Sequence, residues 1–174
     1  LSWKLIYNYP AIPTNIEPLN DLKKNLKIDS NDKIIVYQGV IQKHRGIHQL
    51  INLIDNLKNC SALIIGDGEA KKYYMAVVND MKITDRVKFL DKIPYLDLLN
   101  ITHKCDIGWL VIKKYGISNQ LALPNKLFEY ALSGLPIISS KLNNVVRVIK
   151  KYNLGFVVEE TDINEQKRAI KKIQ

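Results

Sequence analysis

The fold is decided by one stretch, Leu121-Ala122-Leu123-Pro124-Asn125-Lys126-Leu127-Phe128-Glu129-Tyr130-Ala131-Leu132-Ser133-Gly134-Leu135-Pro136-Ile137-Ile138-Ser139-Ser140. Pro124 favours the entry to a helix, and Asn125 can cap that helix. Gly134 can end it in a left-handed conformation, and Ile137 begins a β-branched strand. Helical spacing predicts one apolar face, formed by Leu127, Phe128, Ala131 and Leu132. A helix that passes directly into a buried strand is the repeating unit of an α/β fold.

The same alternation extends over the rest of the chain. Apolar strand patterns alternate with helical patterns about every 20 to 25 residues, as expected for βαβ units. The predicted strands are residues 33–38, 62–65, 87–90, 105–111, 136–140 and 155–158. We therefore predict an α/β fold, a Rossmann-like parallel six-stranded sheet with helices on both faces.

The bulk composition is that of a single globular domain. The chain has 174 residues, of which 47% are hydrophobic and 25% charged, and no run reaches the roughly 20 apolar residues that span a bilayer. Cys60 and Cys105 stand singly, which is typical of buried thiols in a reducing compartment. The net charge of +9 favours polyanionic partners, including anionic lipid headgroups.

The predicted helix that begins near Asn125 carries the first candidate site. Backbone N–H groups at a helix N-terminus bind anions, and Lys126 adds a positive charge in the first turn. Glu129, one turn further on, can accept hydrogen bonds from two neighbouring sugar hydroxyls. This arrangement is typical of nucleotide binding in α/β folds. The alternative is a surface helix in which Glu129 only offsets the helix dipole.

A second candidate lies in the first loop after a strand, residues 39–46. Because ligands bind at the carboxyl ends of strands in open α/β sheets, Lys43 and Arg45 would bring positive charge to that edge. The guanidinium of Arg45 can bind a diphosphate through two hydrogen bonds. A solvated basic loop is the alternative interpretation.

Three ordered motifs carry a resemblance to a known family. Pro124-Asn125-Lys126-Leu127-Phe128-Glu129-Tyr130-Ala131 with Gly134-Leu135-Pro136-Ile137-Ile138 resembles the nucleotide-sugar motif of GT-B glycosyltransferases. The other two are Tyr37-Gln38-Gly39 with Arg45-Gly46, and Ile64-Ile65-Gly66-Asp67-Gly68-Glu69. The resemblance covers about residues 33 to 160 and is to the C-terminal half of family 4 (group 1).

The resemblance implies metal-independent, retaining transfer of a sugar from a nucleoside diphosphate sugar to a saccharide or lipid-linked acceptor, in surface polysaccharide synthesis. It implies no cofactor and no metal, and the absence of an Asp-x-Asp motif agrees with that. Catalysis would rest on Arg45 and Lys126. The nucleotide sugar would be bound by Gly39, Lys43, Arg45, Gly66, Ile93, Leu123, Pro124, Asn125, Lys126 and Glu129.

Two positions depart from the family pattern. An Arg is common directly after the first glycine of the loop, where this chain has Val40. A second Glu often lies eight residues before the ribose Glu, where this chain has Leu121. Ser118, Asn119 or Gln120 could contact the sugar hydroxyls instead.

The resemblance also predicts the domain organisation. Residues 1–18 would be the remnant of an interdomain linker, and residues 19–174 the donor-binding domain. The upstream acceptor domain would be absent, so we expect the isolated chain to be inactive. We expect a cytoplasmic protein, with peripheral contact at the inner face of the plasma membrane.

Three alternatives remain open from the sequence. One is a GT-B nucleotide-sugar epimerase, and another is a non-catalytic nucleotide-binding module, favoured by Val40 and Leu121. The third is an electrostatic binder of nucleic acid or anionic membrane. No basic–aromatic interleaving or recognised motif supports nucleic acid, which we do not expect as a partner.

Overall fold

The structure is a computed structural model that describes residues 21–113 and 121–173. Strands and helices alternate along these residues. The strands are β1 (Lys33–Gln38), β2 (Cys60–Ile65), β3 (Val87–Leu90), β4 (Ile107–Leu110), β5 (Ile137–Ser140) and β6 (Gly155–Val158). The helices are α1 (Leu22–Leu26), α2 (Ile47–Asp55), α3 (Lys71–Asp80), α4 (Tyr95–Thr102), α5 (Asn125–Leu132), α6 (Asn143–Tyr152) and α7 (Ile163–Ile173).

The six strands form one parallel sheet in the order β3-β2-β1-β4-β5-β6, which confirms the predicted Rossmann-like fold. This order reverses between β1 and β4, the switch point at which such sheets bind ligands. β1 pairs with β2 over all six of its residues, from Lys33 to Gln38. It pairs with β4 at Ile35 and Val36. The sheet therefore opens beyond Val36, toward the carboxyl ends of the two strands.

Alternate residues of β1 enter two separate hydrophobic clusters. Ile35 and Tyr37 pack with residues of α2, α3 and α7. Ile34 and Val36 pack with residues of α1, α5 and α6 on the other face. These four side chains are at most 1% exposed, and each full burial contributes about 1.5–3 kcal/mol for a side chain of this kind. Helices on both faces follow from a strand that is apolar on both faces.

Helix α5 differs in two details from the sequence prediction. It begins at Asn125, with Pro124 rather than Asn125 in the capping position. Tyr130 is fully buried, whereas Leu132, which we expected on the apolar face, is 38% exposed. Helical spacing alone does not show which end of an apolar face is left uncovered by the neighbouring elements.

Other sequence predictions can be placed only in part. The predicted linker, residues 1–18, lies outside the described residues. Cys60 is buried and Cys105 half-buried, and neither forms a disulfide within the part of the chain that the structure describes. Over the described residues, no helix is long and apolar enough to cross a lipid bilayer.

Candidate functional site

The N-terminus of α5 opens at the sheet switch point. Pro124 holds the capping position in an extended conformation, with φ −71° and ψ 143°. A proline side chain cannot accept a hydrogen bond, so the capping residue gives this helix no side-chain cap. The positive end of the helix dipole therefore points into the cleft in front of it, where it favours an anion.

Tyr130 fixes α5 to the strands on either side of the switch point. Its hydroxyl accepts a hydrogen bond from the backbone N–H of Gln38 (3.2 Å) and donates to the carbonyl of Val36 (3.1 Å). These are the backbone groups of β1 at the end of its pairing with β4. The ring packs over Gly108 of β4, where a Cβ would lie 2.5 Å from it. The open crevice is thus closed from beneath by one side chain of α5.

The loop after β1 is held against β4 at Gly46. The backbone of Gly46 has φ 75°, and a Cβ there would lie 1.7 Å from the carbonyl oxygen of Val111. Its own carbonyl accepts a hydrogen bond of 2.9 Å from the indole N–H of Trp109. A glycine is required because the backbone is left-handed and the approach is too close for a side chain. This contact positions the preceding residue, Arg45, at the cleft.

The cleft at the switch point has a volume of about 440 Å³. Its cations are Arg45 and Lys126, and over the described residues neither forms an ion pair with a carboxylate. The lining comprises Tyr37, Gln38, Gly39, Val40, Arg45, Leu98, Pro124, Asn125, Lys126 and Glu129. Two cations at the positive end of a helix create a site for an anion.

Lys126 lies across the floor of this cleft. Its Nζ is 3.7 Å from the centroid of the Tyr37 ring, and a Cβ added at Gly39 would meet the same Nζ at 3.7 Å. Burial of the ammonium and, to a smaller extent, the neighbouring charge of Arg45 lower the pKa of Lys126 to about 7, against an opposing effect of Glu129. Although part of the side chain stays exposed, its charged end is poorly solvated. A bound anion would restore the charged form.

Glu129 belongs to a buried polar network that the sequence analysis did not identify. The carboxylate is 9% exposed and accepts a hydrogen bond from the side-chain amide of Gln38. The amide oxygen of Gln38 in turn lies 2.7 Å from the hydroxyl of Thr102. Gln38 was visible only as part of a motif, and Thr102 follows it by 64 residues at the end of α4. The sequence feature that could have identified Gln38 is its position, since it is a polar residue at the end of an otherwise apolar strand.

A second cleft, of about 420 Å³, adjoins the first. It lies between the loops after β2 and β3, and Ile93 and Gly66 line it. Gly66 lets two loops cross, since a Cβ there would lie 2.0 Å from the carbonyl oxygen of Gly39. The two clefts share Gly39, Val40 and Leu98. The two clefts are therefore neighbours, the first cationic and the second mainly apolar.

Most of the predicted site residues line these clefts, but two do not. Lys43 is exposed, and its Nζ lies 5.6 Å from the centroid of the Tyr73 ring, outside both clefts. Leu123 lines a separate apolar groove between α5 and α6. Val40 and Leu121, the positions that depart from the family pattern, are 54% and 55% exposed. The proposed sugar contacts at residues 118–120 lie outside the described residues.

A parallel sheet of this order, with a cationic cleft at its switch point, defines the chain as a Rossmann-like domain with a candidate site for an anion. Residues 20–174 match the family model for "Glycosyl transferases group 1". The chain therefore belongs to the group 1 glycosyl transferases. No curated protein matches the sequence significantly.

Solved structures of GT-B glycosyltransferases share the fold. The lipopolysaccharide outer core galactosyltransferase WaaB superposes with a TM-score of 0.72 at 19% identity, covering 98% of this chain and 46% of WaaB. WaaG, a glycosyltransferase of lipopolysaccharide biosynthesis, gives 0.70 at 15% identity, covering 87% and 40%. Anabaena Alr3699/HepE, solved with UDP-glucose, gives 0.68 at 19% identity, covering 87% and 41%. The chain thus spans less than half the length of each of these three proteins.

Proposed function

We propose that this chain is the donor-binding part of a retaining, metal-independent glycosyltransferase of the hexosyltransferase type, in family 4. The donor would be a nucleoside diphosphate sugar, and the acceptor a saccharide or lipid-linked saccharide of a surface polysaccharide. Membership in the group 1 family and the resemblance of three ordered motifs support this proposal. The observation that carries it is the cationic pair at the N-terminus of α5, Arg45 and Lys126, which forms no ion pair within the described residues.

The cationic cleft would act on the leaving diphosphate. As the bond between the anomeric carbon and the phosphate oxygen breaks, negative charge grows on that oxygen. Arg45, Lys126 and the N-terminus of α5 would stabilise this charge without moving, which is the main advantage of a preorganised site. Glu129 would accept hydrogen bonds from the ribose and so fix the position of the reacting bond. Catalysis of this kind requires no metal ion and no proton-transferring side chain from this domain.

The apolar cleft would hold the nucleotide base. Ile93, Pro94 and Tyr95 lie at its rim, next to Gly66, and backbone groups of this loop can bond to the base. Since the two clefts share Gly39, one extended ligand can occupy both. UDP is the first nucleotide to test, because the structure of HepE was solved with UDP-glucose.

A thermal-shift panel of UDP, GDP, ADP and their sugars tests the proposal. A ligand that binds only the folded chain at 100 times its dissociation constant stabilises it by about 2.7 kcal/mol. We expect one nucleoside diphosphate series to raise the melting temperature and the Arg45→Met variant to lose the shift. The matched control is Lys43→Met, which removes an equal charge from the same loop outside the cleft. Absence of a shift with every nucleotide contradicts the proposal.

A non-catalytic nucleotide-binding module is the second candidate, and Val40 favours it. In the family an Arg at that position adds a phosphate contact, whereas Val40 presents an exposed apolar side chain at the cleft. Transfer by the whole protein from the donor that the panel selects would exclude this candidate. Isomerised donor in the absence of any acceptor would indicate an epimerase instead. We expect the isolated chain to bind nucleotide and transfer nothing, because the acceptor would bind mainly to an upstream domain.

We also propose peripheral contact with an anionic membrane, at the cytoplasmic face, through helix α6. Between Glu129 and Glu159 the chain has no acidic residue. Arg147, Lys150 and Lys151 are exposed on α6, and Arg147 separates a cationic groove from an apolar one. Cations beside apolar surface favour an interfacial orientation, each contributing about 1 kcal/mol near anionic lipid.

Vesicle sedimentation tests the membrane contact. We expect the chain to bind vesicles containing phosphatidylglycerol and to lose binding when Arg147, Lys150 and Lys151 are all changed to Glu. The control variant changes three other exposed lysines to Glu, namely Lys58, Lys72 and Lys104, and so has the same net charge. Equal binding by the two variants would contradict a role for α6.

A further inference from the structure

The buried amide of Gln38 is the starting point. This side chain ends β1 at the floor of the cationic cleft and is 2% exposed. Its Nε2 lies against Oε2 of Glu129, and its Oε1 lies against the hydroxyl of Thr102. A carboxylate can only accept hydrogen bonds, so the NH₂ group of the amide must face Glu129. The amide oxygen is thereby fixed toward Thr102.

Thr102 fixes the other end of the amide. Its hydroxyl is fully buried and lies 2.7 Å from Oε1 of Gln38 and 2.6 Å from the carbonyl of Leu98. Both neighbours are acceptors, so the single proton of the hydroxyl is shared between the Leu98 carbonyl and Oε1 of Gln38. The three side chains therefore form a hydrogen-bonded chain in which Thr102 donates to Gln38 and Gln38 donates to Glu129, with the Leu98 carbonyl as a second acceptor for Thr102.

This chain restrains the carboxylate of Glu129. A buried carboxylate is costly unless hydrogen-bonded, and over the described residues Glu129 has no ion-pair partner. The Gln38 amide compensates part of that cost and stops rotation of the carboxylate about its last torsion angle. One oxygen is held by the protein, and the residue still lines the cleft. The orientation of the group is fixed before any ligand arrives.

We propose that Gln38 and Thr102 are positioning residues that orient Glu129 toward the ribose hydroxyls and so select ribonucleotides over deoxyribonucleotides. The inference rests on the proposed function, because it assumes that the cleft binds a nucleoside diphosphate. A rigid carboxylate binds more tightly to a ligand that has both ribose hydroxyls. When the hydroxyls are missing, the bound ligand desolvates the carboxylate without donating a hydrogen bond to it. A carboxylate free to rotate would turn to solvent and discriminate less.

Titration calorimetry with paired ligands tests this role. The probes are UDP, GDP and ADP and the 2′,3′-dideoxy form of each, so that the readout is a ratio of affinities. For the wild-type chain we expect the ribose form to bind about 10- to 100-fold more tightly, since hydrogen bonds to a charged group are at stake. In Gln38→Leu the ratio of the two affinities should fall toward one. A merely structural defect would weaken both ligands equally.

Two further variants complete the design. Thr102→Val removes the hydroxyl at nearly constant volume and should lower the ratio, whereas Thr102→Ser keeps the hydroxyl and should restore it. This pair decides the question if Gln38→Leu does not fold, as judged by circular dichroism. Gln49→Leu is the matched control, because Gln49 lies on α2 and lines neither cleft.

The outcomes separate the two proposals. A wild-type ratio well above one that survives both Gln38→Leu and Thr102→Val overturns the inference and leaves nucleotide binding intact. A wild-type chain that binds dideoxy and ribose forms equally also overturns the inference alone. Failure of the wild-type chain to bind any of the six nucleotides overturns the proposed function, and the inference with it.

Discussion

Affinity for the donor should fall as the pH rises through 7, because Lys126 changes charge there. The perturbation is a pH series from 6 to 8 with UDP-glucose, or the GDP or ADP sugar that the panel selects. Both phosphates of such a ligand are diesters, so the charge of the ligand is constant in this range. Any change in affinity then reports on the protein.

The size of the effect follows from the environment of Lys126. Burial and the charge of Arg45 lower its pKa to about 7, so roughly 90% is charged at pH 6 and roughly 10% at pH 8. The ligand binds the charged form, and the pKa of the complex is higher than that of the free protein. Affinity is therefore highest below pH 7 and declines above it, by about tenfold between pH 6 and pH 8.

Variants identify the group responsible for the pH dependence. Lys126→Met should bind about 10- to 100-fold more weakly at pH 6 and lose the decline above pH 7. Arg45→Gln removes the repulsive neighbour and should move the midpoint to higher pH, whereas Glu129→Gln removes the attractive one and should move it lower. Calorimetric titration at each pH measures all three. A wild-type affinity independent of pH, or an unchanged decline in Lys126→Met, would refute the reasoning.

Two substitutions test the framework of the site. Gly46→Ala should lower the free energy of unfolding by about 2 kcal/mol or more, because its Cβ would overlap the carbonyl of Val111. Gly134 has φ 72° and open space around it. Gly134→Ala should therefore lower the free energy of unfolding by only about 1 kcal/mol in urea denaturation. Equal losses for the two glycines would exclude the steric explanation. Tyr130→Phe should cost about 1–2 kcal/mol in the same assay, and Tyr152→Phe, which is 60% exposed, almost nothing. A harmless Tyr130→Phe would mean that its hydroxyl does not secure α5.

The sheet was predictable because its strands are apolar on both faces. Segments such as Ile34-Ile35-Val36-Tyr37 show no alternation of apolar and polar residues, which is typical of strands buried on both faces. Because a helical pattern separates each such segment from the next, a parallel sheet is predicted. The order of the strands is a different matter, since no local pattern shows that β4 follows β1 in space. The sequence analysis predicted six parallel strands without an order, and the order is seen only in the structure.

The parts of the site formed by residues close in sequence were predictable. The parts that depend on contacts between residues far apart in sequence were not. A cation beside a helix start, as at Lys126, can be read from neighbouring residues. The link from Glu129 to Gln38 spans 91 residues and the next link, to Thr102, spans 64. Lys43 shows the opposite error, since its charge suggested the cleft but its side chain lies over Tyr73. A loop residue can turn either way, and the sequence does not indicate which.

Two successive residues of α5 have opposite tasks. Tyr130 attaches the helix to β1 through its hydroxyl, while Glu129 faces the cleft. Because they are only one peptide bond apart on a rigid helix, any rotation that loosened the tyrosine would swing the carboxylate away from the ligand. Binding of a ligand to Glu129 should accordingly protect the backbone amides at the end of β1 from hydrogen exchange, even without direct contact between the nucleotide and those amides.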